Sequence, residues 1–348
     1  MSREQEKPLR VINSVAPIRI ADNGGWTDTW FAKHGKVFNI GVSPCVEAQI
    51  RVYPTQGRGA SIEVVAENYG ERFMLAPGTD LPAHHPLVSA AIRHMNVSRG
   101  NALQITLHSE APAGASTGTS AAMCVALIGA LDRLRHDKMT PEEVAYAAHH
   151  VEMDILGLQC GIQDQLCSAY GGINYIEMQD FPRASVSQIQ VPDAVWWELD
   201  RRLVLIYLGK SHGSSELHSK VIKELEHAGP ECVKIEDLRH TAERSRDAIS
   251  VGDFEAFGRA MVENTDAQAR LHPDLVGADA RTVIEIAKAH RAVGWKVNGA
   301  GGDGGSLTIL CDSRSQVKRQ MIREIEQTNP SFGNIPIHLS RFGLRTWE

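Results

Sequence analysis

A run of small residues, Ala111-Pro112-Ala113-Gly114-Ala115-Ser116-Thr117-Gly118-Thr119-Ser120-Ala121-Ala122, passes straight into apolar residues at helical spacing as far as Leu134. Two structures suit such a segment. One is a helix capped by Thr or Ser, with small residues allowing close packing. The other is a phosphate-binding loop, where unobstructed backbone N–H groups and the positive end of the helix stabilise an anion. In that case the hydroxyls of Thr119 and Ser120 would bond phosphate or ligate Mg²⁺. The absence of Gly-Lys-Ser/Thr excludes a Walker loop. Taken alone, the segment does not choose between the two, so the rest of the chain must.

Before this loop, β-type runs occur at Val11–Ser14, 37–42, 46–53, 61–66 and 103–108, and the run from Val46 to Tyr53 alternates as a strand with one wet face does. After it, Thr140-Pro141-Glu142-Glu143 reads as a helix N-cap, with the helix running to Leu156 and ending near Gly157. A strand at Ile173–Ile176 is followed by the looser, two-proline stretch Gln179 to Asp193. This places a domain boundary there, dividing the chain into 1–185 and 186–348. The second part opens on the strand Arg202–Leu208, continues with helices from Glu216 to Met261 and returns to a strand at Leu307–Leu310. Strands followed by helices suggest α+β lobes.

Three further segments carry chemistry. Asp164, within Gly161-Ile162-Gln163-Asp164-Gln165 and just ahead of Gly171-Gly172, is placed to take a proton from an attacking hydroxyl or to hold that hydroxyl and a cation. Upstream, Glu152 offers a hard oxygen for Mg²⁺, the alternative being a solvated helix face. Gly299-Ala300-Gly301-Gly302-Asp303-Gly304-Gly305 contains a dinucleotide-type glycine spacing, but a strand rather than a helix follows it, so a glycine turn against a phosphate or substrate, or a plain hairpin, fits better. In Pro17-Ile18-Arg19-Ile20-Ala21-Asp22-Asn23-Gly24-Gly25-Trp26-Thr27-Asp28, Arg19 can neutralise a phosphoryl oxygen, while Gly25, Thr27 and Asp28 face a polar substrate. His212 is a weaker candidate for substrate contact. His149 and His150, adjacent on one helix, point apart and give no two-histidine metal face.

A net charge of -6 gives no basic footprint for nucleic acid. No apolar run is long enough to cross a bilayer, and the charged start Met1–Lys7 lacks a signal-peptide core, so a cytoplasmic protein without membrane partners is expected. The six scattered cysteines read as reduced thiols. A homodimer is compatible with the chain, Trp196 and Trp197 reading as packing or interface residues.

In this order and at these separations, the four segments resemble the GHMP kinase family. Pro17-x-Arg19 with Gly24-Gly25-x-Thr27-Asp28 matches the family's first motif, Pro112 to Ala121 its ATP loop, and Gly299 to Gly305 its third motif. Ser116 stands where glycine is usual, Thr117 where leucine is usual, and Asp303 interrupts the glycines. Within the family, Gly24-Gly25-Trp26-Thr27-Asp28 resembles the kinase part of fucokinases. His34–Asn39, Gln163–Gln165 and Gly171–Glu177 resemble D-glycero-D-manno-heptose 7-phosphate kinases.

The resemblance implies a two-lobed α+β fold, with an N-terminal lobe related to ribosomal protein S5 domain 2 and the active site between the lobes. It implies ATP and Mg²⁺ as cofactors and a small sugar or sugar phosphate as substrate, phosphorylated at the anomeric hydroxyl. Asp164 and Arg19 become the catalytic pair, Ser120 and Glu152 the metal ligands, and Pro112, Gly114, Ala115, Ser116, Thr117, Gly118, Thr119 and Ser120 the nucleotide loop. Gly25, Thr27, Asp28, Gly171, Gly301, Gly302 and Asp303 fall to the substrate. A catalytically silent sugar and nucleotide sensor, or a kinase for a non-sugar alcohol using Lys33, Lys36 or Lys210, stays open as an alternative.

Overall fold

The computed structural model describes residues 7–55, 61–75, 85–96, 100–210 and 215–348. The chain begins with β1 (Arg10–Asn23), β2 (Gly35–Pro54), β3 (Ile62–Ala66), β4 (Glu71–Leu75), α1 (Pro86–Met95) and β5 (Asn101–Ser109). There follow α2 (Thr119–Asp132), α3 (Pro141–His150), α4 (Gln163–Tyr170), β6 (Ile173–Asp180) and β7 (Arg183–Gln188). The next elements are α5 (Asp193–Arg202), β8 (Leu203–Tyr207), α6 (Ser215–Ala228), α7 (Val233–Ser250), α8 (Phe254–Leu271) and α9 (Ala278–Ala289). Last come β9 (Gly294–Val297), β10 (Ser306–Leu310), α10 (Ser315–Thr328), β11 (Gly333–Ile335), β12 (His338–Leu339) and β13 (Arg345–Trp347).

Two sheets organise these elements. The first runs β13-β1-β2-β5-β3-β4, with β6 and then β7 attached along the other half of β2, and β12 also pairing with β2. The runs at 37–42 and 46–53 are therefore one long strand serving two sets of partners. The second sheet has the order β11-β8-β10-β9. This is the expected α+β fold in two parts, with two differences. The stretch after Gln179 pairs regularly with β6 as β7, so a cut at 185/186 falls inside a strand. The last residues return to the first sheet through β12 and β13, which makes the first lobe discontinuous in sequence.

α2 is apolar all round, and everything from Val125 to Asp132 is buried between the first sheet and its neighbouring helices, as a helix without a polar face must be. Thr140 caps α3 in a reciprocal box with Glu143, bearing out the start signal. The core of the first sheet extends to α7 and α8 through contacts such as Phe38 on Phe257, with ring centroids 5.3 Å apart. Among the described residues no helix is long and apolar enough to cross a membrane.

Candidate functional site

Antiparallel pairing of β1 with β2 shifts register between Pro17 and Ile18 and again between Ile20 and Asn23, and Ala21 is held at φ +53°. Such irregularities re-aim side chains. Here they bring both Arg19 and Asp22 inside, 4% and 0% exposed. Arg19 Nε donates to Asp164 Oδ1 at 2.7 Å and Nη2 to Oδ2 at 3.3 Å, while Nη1 donates to the Ser116 carbonyl. Nη2 also lies 3.9 Å from Asp22. Burial works against the Arg19 charge, but Asp164 and Asp22 outweigh it and raise the guanidinium above its ordinary value. Asp164 occupies the first turn of α4, where the helix dipole favours an anion.

The small-residue loop lies against this pair. Gly114, Ser116 and Gly118 take φ of +74°, +56° and +69°, and Arg19 N donates to the Thr117 carbonyl at 2.9 Å. Gly118 is the N-cap of α2, and no side chain bonds the helix's first N–H groups. A helix sealed by a Ser or Thr cap is therefore not what forms; the positive end is left for a ligand. Ser116, where glycine is usual, adopts a glycine-like conformation, and its buried Oγ finds no partner.

Glu152 sits in a wider, π-type turn, Val151–Ile155, that continues α3. It is 4% exposed, so the solvated-face alternative fails. Burial pushes its carboxyl up to about 7, against hydrogen bonds from Gln165 and Ser120. Gln165 Oε1 is also buried without a partner. A carboxylate, a hydroxyl and an amide oxygen are hard donors that fit Mg²⁺. No three His, Cys, Asp or Glu side chains converge on a metal-sized site among the described residues.

The glycine-rich turn between β9 and β10 is a hairpin connection that packs on the first loop. Ser306 Oγ donates to the Ala115 carbonyl at 2.5 Å, and a Cβ on Gly305 would come within 2.8 Å of Ser116 Oγ.

Beside Arg19 and Asp164 opens a cavity of about 790 Å³. Trp26, Trp30 and Phe31 form one wall, the segment Gly157–Gly161 another, and His218 and Ile222 of α6 close it from the second lobe. Trp30 Nε1 donates to Glu226 at 2.8 Å, and the Trp26 ring meets His218 edge-on at 5.6 Å, so the aromatic wall is tied to α6. Asp28 reaches the cavity with Oδ2 accepting from Gln163 N at 3.0 Å. A side chain on Gly161 would place its Cβ 2.0 Å from that oxygen.

Burial pushes Asp28 up to about 6, partly offset by the Gln163 hydrogen bond. Its folded value thus exceeds the unfolded one, so the stability it contributes is present below pH 4 and lost as pH rises through 6. The loss is on the order of 3 kcal/mol. Asp28→Asn, which keeps an acceptor for Gln163, is expected to gain about that much stability relative to the parent between pH 4 and pH 8. Urea unfolding at both pH values measures it; a difference that does not change with pH would refute the assignment.

Several expected substrate residues stand elsewhere. Gly171 packs against the backbone of Phe342 and Gly343, on the far side of α4 from Asp164. Thr27 is fully buried, its hydroxyl donating to the Gly24 carbonyl and accepting from Lys36 N, and Gly25 lies over Asp22 without lining the cavity. Gly301 and Gly302 bond to His218 and Leu275 behind the turn, Asp303 pairs with Lys210, and it is Gly299 and Ala300 that face the cavity. His212 lies outside the described residues. Composition gave no warning of the aromatic wall or of α6, because the cavity forms only when the lobes meet.

The profile of the GHMP kinases N terminal domain matches residues 86–172. The chain is 30% identical over 253 residues to a mevalonate kinase of Thermococcus sibiricus, covering 69% of this chain and 68% of that protein. It is 25% identical over 331 residues to the bifunctional fucokinase/GDP-fucose pyrophosphorylase of Arabidopsis thaliana, covering 88% of this chain and 31% of that one. The fold is similar to that of a D-glycero-D-manno-heptose 1-phosphate kinase from Bacteriodes thetaiotaomicron, with TM-score 0.74, 21% identity and coverage of 97% and 99%.

Proposed function

Because the chain belongs to the GHMP kinase family of ATP-dependent kinases, we propose that it transfers the terminal phosphoryl group of ATP to the anomeric hydroxyl of an uncharged sugar. The observation that carries this is the charge of the cavity. Its described lining holds three carboxylates, Asp22, Asp28 and Asp164, beside an aromatic wall; its one Lys or Arg is Arg19, already engaged by Asp164. Carboxylates accept from sugar hydroxyls, and aromatic faces cover the apolar side of a sugar ring. An anionic acceptor would meet like charges. Lys36 pairs with Glu243, and Lys210 with Asp279 and Asp303, so neither serves such an anion.

In this reading the β- and γ-phosphates rest on the loop from Gly114 to Ser120 and the open N-terminus of α2. Asp164 takes the proton of the acceptor hydroxyl, whose oxygen bonds to the γ-phosphorus as the bond to the bridging oxygen breaks and its electron pair leaves with ADP. Arg19, fixed between Asp164 and Ser116, offsets charge on the transferring group. Mg²⁺, when bound by Ser120 and Glu152, neutralises phosphate charge.

The likeness to mevalonate kinases favours a second reading, in which the acceptor is mevalonate. ADP release with fucose, galactose, mannose and mevalonate separates the two. Turnover is expected with at least one neutral sugar, giving a product whose phosphate NMR shows coupling to the anomeric proton. Release with mevalonate and with no sugar would overturn the proposal, and binding without any release would point to a sensor.

A further inference from the structure

Lys296 is a fully buried cation that the proposed chemistry leaves without a task. It lies on β9 of the second sheet with 1% exposure, and its Nζ is 3.4 Å from Asp22 Oδ1 on β1 of the first. The same nitrogen donates to Gln268 Oε1 at 3.1 Å and to the Val297 carbonyl. Three acceptors match the three N–H bonds of an ammonium, so the site suits the charged form even though burial lowers the Lys296 pKa. Asp22 in turn accepts from Gly299 N through both oxygens, at 3.1 and 3.0 Å, and Gln268 Nε2 donates to the Gly299 carbonyl at 3.1 Å. Asn298 Oδ1 accepts from Ala21 N at 3.2 Å and so holds the strained residue beside Asp22. The lobes are thus joined by a polar seam that ends on Arg19.

We propose that Lys296 and Asp22 form a positioning pair for phosphoryl transfer, fixing the Gly299–Ala300 turn over the small-residue loop and holding Arg19 at Asp164. The inference rests on the kinase reading above and adds to it a charge argument. Arg19 and Lys296 balance Asp22 and Asp164 before reaction. Once Asp164 has taken the acceptor proton, one positive charge is left uncompensated next to the transferring phosphoryl, where it stabilises the developing charge. Without Lys296, Asp22 has only Arg19 to pair with and draws it from Asp164.

Lys296→Met, which keeps length and removes charge, is the test. The expected result is a fall in kcat of about tenfold or more, with the KM for ATP within about threefold. A role confined to stability would lower the melting temperature and leave the kcat of the folded enzyme unchanged. A kcat within about threefold of the parent would overturn the proposal. If Lys296→Met does not fold, Lys296→Gln, which keeps a polar end without the charge, carries the same expectations for kcat and KM. Should the parent turn over no sugar, the sugar reading fails by itself. Hydrogen exchange then decides the seam: faster exchange across Asn298–Gly305 in Lys296→Met supports it, and unchanged protection sinks it.

Discussion

Asp164→Asn is expected to bind nucleotide within a few-fold of the parent and to lose about a thousandfold in kcat. The separation follows from where the carboxylate sits. In the proposed reading the phosphate cradle is the backbone of Gly114–Gly118 and the uncapped start of α2, against which the Asp164 side chain packs at Gly118 while its hydrogen bonds go to Arg19. An asparagine still accepts one hydrogen bond from Arg19, which also keeps the Ser116 carbonyl and the neighbouring Asp22 as partners, so the shape of the site survives. What is lost is the carboxylate that takes the acceptor proton in the proposed mechanism, together with half of the bidentate ion pair that aims Arg19. Calorimetric titration with a non-hydrolysable ATP analogue measures the first quantity, and ADP release the second. Turnover close to that of the parent would exclude Asp164 as the base, and a parallel loss of nucleotide binding would mean that the side chain holds the cradle together.

The effect should be larger than that of any cavity-wall residue, because Trp26, Trp30 and Phe31 act on acceptor binding rather than on the proton. Their contribution is contact area and exclusion of water from a cavity that the two lobes close jointly. That joint closure also explains what the sequence could and could not reveal. The loop at 111–122, Arg19, Glu152 and Asp164 were legible because each combines a residue type with a local backbone signal, a glycine run, a helix start or a motif spacing, and these signals survive without knowledge of the fold. The strand runs of the first sheet were legible for the same reason, since alternation is local. The β7 strand was obscured by the prolines around it, and the short β12 and β13 depend wholly on partners hundreds of residues away in β2 and β1. His218, Ile222 and Lys296 carry no local mark at all. His218 and Lys296 take their places only beside a neighbour from the other lobe: Trp26 for His218, Asp22 for Lys296. Gly171 shows the opposite error, a glycine in a suggestive motif whose positive φ serves close packing on Phe342 and Gly343.

Glu152→Gln is expected to raise the Mg²⁺ concentration needed for half-maximal rate by roughly 100-fold, equivalent to losing about 2–3 kcal/mol of charged contact. The glutamine is nearly isosteric and can still accept from Ser120 and Gln165, which bond the carboxylate in the parent, so the π-type turn and the start of α2 should keep their positions. Only the negative charge is removed, and it is a charge that burial makes costly in the absence of a cation. The variant should therefore show two changes of opposite sign: poorer use of Mg²⁺ and, in metal-free buffer at pH 8, higher stability than the parent. Rates measured across an Mg²⁺ series at saturating ATP, with thermal melts in chelator, test both. A variant with the parent's Mg²⁺ requirement would show that Glu152 does not hold the cation. One that loses stability in metal-free buffer would show that its carboxylate is needed for the Ser120 and Gln165 hydrogen bonds themselves, ahead of any ion.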